Sequence, residues 1–200
     1  MKILKINSSV QSADKSVTRQ LVSKLISSIC STNDEIIDRD LTKGVSLITG
    51  ELIGAFYTLP EDRTDVQNEL LKESNRLINE VKESDVIVMG IPIYNFSVPG
   101  SVKAYIDLIS RTGVTFSYND MGQVTGLLED KKVYIIVASG GTAFKSEADF
   151  VSDYMKHMFS FWGITDVHFI DVTQQMTGEN ILEKANETIA NYSIEYTNMT

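Results

Sequence analysis

Cysteine is nearly absent from this chain: Cys30 is the only one in 200 residues. No intrachain disulfide is possible, which fits a reducing compartment and points to the cytoplasm. Its place at the end of Leu25-Ile26-Ser27-Ser28-Ile29-Cys30 suggests a structural role at a helix terminus. Histidine is almost as scarce, with only His157 and His168. One sits in a helical stretch and one in a strand, and both read as structural. No grouping of His, Cys, Asp and Glu has metal-ligand spacing, so no metal is expected. Basic residues are outnumbered, 18 against 27 acidic, for a net charge of −9. Nucleic acid and anionic lipid both call for a basic face, so neither is an expected partner. The first residues hold one lysine and then Ile3-Leu4-Lys5-Ile6, too short and too polar for a signal peptide or a membrane span. Without a secretory signal the Asn-x-Ser/Thr matches, from Asn95-Phe96-Ser97 to Asn198-Met199-Thr200, are chance. No repeat, low-complexity tract or linker interrupts the chain, and residues 1–200 read as one domain.

What is present is alternation. Strand-like runs fall at Ile3–Asn7, Glu35–Asp38, Asp85–Met89, Val133–Val137 and Val167–Ile170. Helical patterns fall between and after them, at Ser16–Cys30, Asp65–Glu83, Ser101–Ser110, Glu147–Trp162 and Gly178–Tyr196. In the long second helix Val66, Leu70, Leu77 and Val81 share a face, helped by Leu71 and Ile78. This order predicts an α/β protein with a parallel sheet covered by helices on both sides. Two insertions break the rhythm: Leu41–Thr64, and Arg111–Asp130, where Gly122 and Gly126 suggest a hairpin or lid.

Ligands of such sheets bind past the carboxyl ends of the strands, so three loops matter. The first, Ser8 to Thr18, lacks the Gly-x-Gly-x-x-Gly dinucleotide fingerprint. It offers hydroxyls instead, at Ser9, Ser12, Ser16 and Thr18. Hydroxyls and free amides at a helix N-terminus suit a phosphate monoester; simple capping by Ser16 needs only one of them. The second, Gly90 to Gly100, carries Pro92, Ile93, Tyr94, Asn95, Phe96 and Pro99. Two aromatics, an amide side chain and two prolines make a partly ordered seat for a flat ring. The third, Ser139-Gly140-Gly141-Thr142, allows close backbone approach, or else a sharp turn. Together the loops describe a phosphorylated flat cofactor, a shape that flavin mononucleotide (FMN) fits. Asp14, Lys15 and Arg19 flank the first loop and read as solvated charge.

At these residues the chain resembles the FMN-dependent NADH azoreductases, also described as NADH:quinone oxidoreductases. The likeness runs through Ser8-Ser9, Ser16 to Leu21, Gly50 to Ala55, Pro92 to Phe96 and Lys103 to Asp107. It continues through Gly113 to Tyr118, Ser139 to Gly141 and Phe161 to Val167. It implies a flavodoxin-like three-layer sandwich whose five-stranded parallel sheet has the order 2-1-3-4-5. It implies FMN held by Ser9, Ser16, Val17, Thr18, Pro92, Ile93, Tyr94, Asn95, Phe96, Ser139, Gly140, Gly141 and Thr142. It also implies a homodimer with the flavin near the subunit interface. Many relatives carry a bulkier residue, often Arg, where this chain has Gly140.

The activity expected is two-electron transfer from NADH or NADPH to quinones and azo compounds by a ping-pong use of one site. No catalytic side chain is expected, since the hydride chemistry belongs to flavin N5. Backbone amides of Asn95-Phe96 and Gly140-Gly141 are the expected donors to the ring edge. Phe116 and Tyr118 are candidates for the apolar wall of the substrate pocket, with core packing as the other reading. An alternative is a flavodoxin-type electron carrier that binds FMN but turns over no small molecule.

Overall fold

The computed structural model describes residues 1–197. Along the chain run β1 (Lys2–Asn7), α1 (Val17–Ile29), β2 (Glu35–Asp40), α2 (Gly50–Tyr57), α3 (Asp65–Leu70) and α4 (Lys72–Glu83). Then come β3 (Val86–Pro92), α5 (Gly100–Ile109), β4 (Phe116–Tyr118), β5 (Val124–Gly126), β6 (Lys132–Ala138), α6 (Ser152–Phe161), β7 (Asp166–Val172) and α7 (Ile181–Thr197).

Five strands form one parallel sheet in the order β2-β1-β3-β6-β7. The expected order 2-1-3-4-5 is corrected in its numbering. The insertion before β6 forms its own antiparallel hairpin, β4-β5, which takes up two numbers without entering the sheet. Side chains alternate across the central strands, as the pleat requires. Leu4, Ile6, Ile87, Met89, Ile135 and Val137 face one core, with Leu77 and Val81 of α4, Ile106 of α5 and Phe159 of α6. Ile3, Val86, Val88, Tyr134 and Ile136 face the other, with Val22 and Leu25 of α1 and Ala185 and Ile189 of α7. Both faces are buried, which is why these strands read as unbroken apolar runs.

Local chemistry explains where elements differ from expectation. The long helix over Asp65–Glu83 divides at Leu71, whose ψ is −12°. Thr64 and Gln67 cap α3 reciprocally, and this short segment leaves Val66 and Leu70 exposed while Leu71, Leu77, Ile78 and Val81 are buried. Helix α6 starts at Ser152, later than the sequence suggests. The buried Asp149 carboxylate takes the Lys145, Val151 and Ser152 amides at 2.8–3.1 Å, and that knot holds the preceding residues in a turn. Helix α2 lies in an insertion that carried no helical signal; it contains Gly50 and Gly54, which lower helix propensity, and the burial of Leu52 and Ala55 offsets them. The β4-β5 hairpin docks on the end of α6: a Cβ on Gly126 would fall 2.0 Å from the Gly163 amide nitrogen. Leu128 also donates to the Trp162 carbonyl at 2.8 Å. Among the described residues no helix is long and apolar enough to cross a membrane.

Candidate functional site

The loop after β1 is held from two sides. Ser8 Oγ donates to the Gly90 carbonyl at 2.7 Å, tying the loop to β3. Arg19 reaches back from α1 and donates to the Ser9 carbonyl through Nε and Nη2, at 3.1 and 2.7 Å. The same guanidinium grips both carboxylate oxygens of Asp40 at 2.9 and 3.0 Å. Burial pushes the Asp40 carboxyl up, but the Arg19 and Thr42 hydrogen bonds outweigh it and hold it down at about 2. Arg19 is therefore a clamp, only 15% exposed, and not the solvated charge its sequence context suggests.

Helix α1 presents its amino end to the same place. Ser16 caps it, its Oγ accepting the Arg19 amide at 3.3 Å and lying 3.1 Å from Thr18 Oγ1. The amides of Val17 and Thr18 donate to no protein group among the described residues, as the first helical amides have no intrahelical acceptor. Gly90 lets the helix come this close: a Cβ there would meet Val22 at 3.0 Å and Thr18 at 3.1 Å. Free amides, hydroxyls, the helix dipole and the nearby Lys15 together suit a phosphate.

After β3 the chain makes a tight turn. Tyr94 and Ser97 exchange amide-to-carbonyl bonds at 3.1 and 3.2 Å, with Asn95 at φ +50° and Phe96 at φ +68°. Asn tolerates the left-handed region; for Phe it costs on the order of 1–2 kcal/mol. Phe96 is 56% exposed, so packing does not compensate, and such strain clusters at binding sites. Neither turn amide has an acceptor among the described residues. The Val10 amide donates to Tyr94 Oη at 3.3 Å, joining this loop to the first.

After β6, Ser139 Oγ donates to the Thr142 carbonyl at 2.5 Å. Neither Gly140 nor Gly141 has a positive φ, so the turn does not demand glycine. A Cβ on Gly141 would meet nothing within 4 Å, and one on Gly140 only Met176. The glycines bare the backbone.

These loops enclose an open hollow of about 180 Å³. Of the residues expected to hold a cofactor, Ser9, Ser16, Val17, Thr18, Pro92, Ile93, Tyr94, Ser139 and Gly140 line it, whereas Asn95, Phe96, Gly141 and Thr142 do not. Gln11, Lys15, Ala138 and Gln175 line it too. The first two lie inside the loop read from the sequence but carry no pattern of their own. Gln175 comes from the loop after the edge strand β7, which the sequence reading did not single out. Phe116 and Tyr118 wall no part of the hollow within one chain. Phe116 packs on Phe161 at 4.3 Å and edge-on to Tyr118 at 5.6 Å, because their hairpin is docked at the far end of α6. Phe116 instead lines a second cleft with Phe56, Tyr57 and Arg111. His157 is exposed, and His168 bonds Asp166 at 2.5 Å; neither lines the hollow. Among the described residues no cluster could hold a metal ion.

The sheet and its hollow define a doubly wound α/β protein, with the hollow at the point where strand order reverses, the place where ligands of such sheets bind. A family model described as "Flavodoxin-like fold" matches residues 1–193. Two proteins named FMN-dependent NADH:quinone oxidoreductase 1 are similar along most of their length. That of Hahella chejuensis is 45% identical, covering 94% of this chain and 93% of its own. That of Colwellia psychrerythraea is 46% identical, covering 86% and 88%. The chain belongs to the family that these proteins form. The fold is shared with a crystal structure described as an FMN-dependent NADH-azoreductase from Bacillus anthracis in complex with FMN: TM-score 0.84, 23% identity, coverage 97% of this chain and 98% of that one.

Proposed function

We propose that this chain is an FMN-dependent oxidoreductase. It takes two electrons from NADH or NADPH, passes them to quinones, and cleaves aromatic azo compounds reductively, by ping-pong use of one site. The observation that carries the reading is the convergence of three loops on one hollow: helix amides without acceptors among the described residues beside hydroxyls, Pro92, Ile93 and Tyr94 leading into the strained turn that adjoins it, and the bare backbone of Gly140. The names of the relatives support the quinone acceptor and NADH, and that of the structural neighbour supports the azo substrate.

The residues present fit the cofactor. Val17 and Thr18 amides with the Ser16 and Thr18 hydroxyls would hold its phosphate. Pro92, Ile93 and Tyr94 would wall its ring. The free Asn95 and Phe96 amides, with those of Gly140 and Gly141, would donate to the heteroatoms along the ring edge and stabilise added negative charge. When bound, FMN supplies the two-electron chemistry; the protein positions it and tunes its electronics. At about 180 Å³ the hollow is smaller than the roughly 300–1,000 Å³ of typical ligand clefts. On this reading the ring extends beyond one chain's walls. A homodimer covers it on this reading, and the exposed Tyr57, Phe96 and Phe150 are apolar surface for a second copy.

Purification under dim light tests the proposal. A yellow protein that NADH bleaches and a quinone recolours supports it. A yellow protein inert to NADH supports instead an electron carrier of the flavodoxin type. A colourless protein that cannot be reconstituted with FMN removes both.

A further inference from the structure

We propose that Met176 determines acceptor specificity: its thioether forms a neutral, deformable wall beside Gly140 that favours uncharged flat aromatic acceptors over anionic ones. The inference rests on the flavin reading above and adds to it a residue from a fourth loop.

That loop follows β7 and turns sharply at Gln174, whose φ is +57°. Its backbone is pinned to the third loop. The Gln174 amide donates to Ser139 Oγ at 3.1 Å, the Gln175 amide to the Ser139 carbonyl at 3.0 Å, and the Met176 amide to the Gly140 carbonyl at 3.0 Å. Met176 is thus fixed at its backbone, yet its side chain is 85% exposed. The neighbour that matters is the bare backbone of Gly140: a Cβ there would lie 3.1 Å from Met176 Sδ and 3.5 Å from its Cγ. Met176 borders the place a side chain at position 140 would start from, so that a Cβ there would press on its thioether. Gly140 and Gln175 line the hollow and Met176 lies just outside that lining, where its exposed side chain is surface that a ring extending past Gly140 can cover.

Charge separates the two ends of the hollow. Lys15 lines it beside the start of α1, whereas the third and fourth loops contribute Ser139, Gly140 and Gln175, with no charged side chain. An anionic acceptor at this end loses hydration and gains no cation. A neutral ring gains contact with sulfur, which is polarizable, sits well against aromatic edges, and adapts through three rotatable bonds. Tolerance of differently shaped acceptors follows from the same flexibility.

The test uses FMN-loaded protein labelled with ¹³C at the methionine methyl groups. The Met176 signal is identified by its loss in Met176→Leu. Addition of an oxidised neutral naphthoquinone, without NADH, is expected to move that signal by ring current; the same concentration of a naphthoquinone sulfonate is expected to leave it in place. In steady-state assays Met176→Lys is expected to shift the ratio of KM values about tenfold toward the sulfonate, with kcat changed less than about twofold. Met176→Leu keeps the wild-type preference, and both variants retain wild-type FMN affinity. An unmoved methyl signal with the neutral quinone, an unchanged KM ratio in Met176→Lys, or loss of FMN from either variant overturns the proposal. Wild-type protein that takes up no FMN overturns the flavin reading itself, and the absence of colour tells that failure apart.

Discussion

The hollow above β1, β3 and β6 and the cleft between α2, α5 and β4 have similar volumes, about 180 and 210 Å³. They treat polar groups in opposite ways. Among the described residues the amides of Val17 and Thr18 in the hollow, and of Asn95 and Phe96 on the adjoining turn, have no protein acceptor. In the cleft, the charge is sealed. Arg111 is 3% exposed, donates from Nη1 to Ser74 Oγ and Asn75 Oδ1 at 3.1 and 2.6 Å, and lies 5.1 Å over the Phe56 ring. Burial, together with the nearby Arg63 cation, pushes its pKa down. Asp107 also lines the cleft but is paired with Lys103. Arg111 Nε is itself buried without a hydrogen-bond partner among the described residues, so the difference lies in access: this donor is closed off from any ligand, whereas those at the strand ends are open to one.

Four measurements break or sharpen this division. Arg111→Ala should cost about 2–4 kcal/mol of stability in urea denaturation, from a cavity and the lost hydrogen bonds to Ser74 and Asn75, while the folded fraction keeps its FMN affinity. Lost FMN affinity with stability intact would reverse the roles of the two clefts. Arg19→Ala should cost about 2 kcal/mol and weaken FMN binding about tenfold in a fluorescence titration, since the clamp on the Ser9 carbonyl and Asp40 goes with it. Acid titration should show the same clamp. The Asp40 carboxyl is lower folded, about 2, than its ordinary 3.8. Its stabilisation is therefore complete above pH 3.8 and is lost as pH falls toward 2, an effect of about 2 kcal/mol. Asp40→Asn should flatten that part of the stability profile. Phe96→Gly should raise the melting stability of the apoprotein by about 1 kcal/mol, by relieving a left-handed Phe, and should slow reduction by NADH. A gain in stability with unchanged kinetics would make the strained turn incidental.

The candidate site was legible in unequal parts. Hydroxyls before α1, prolines and aromatics after β3 and paired glycines after β6 are local signals, and nine of the thirteen expected cofactor contacts line the hollow. Gln175 and Met176 were not legible. They follow an edge strand with no pattern of their own, and only the amide bonds to Ser139 and Gly140 bring them in. Phe116 and Tyr118 were assigned on aromatic character, which cannot distinguish a pocket wall from packing on Phe161. Arg19 was read as surface charge because its partner, Asp40, is 21 residues away in sequence.

The order of strands and helices, and the two-faced burial of the central strands, are written in the chain's hydrophobic periods, because a strand covered on both sides admits only apolar residues. Tertiary structure alone decided which unpaired donors would share one hollow, that Arg19 would become a clamp, and that Met176 would stand beside Gly140. Those outcomes depend on crossovers that bring distant loops to one edge of the sheet, and no local stretch of sequence encodes that proximity.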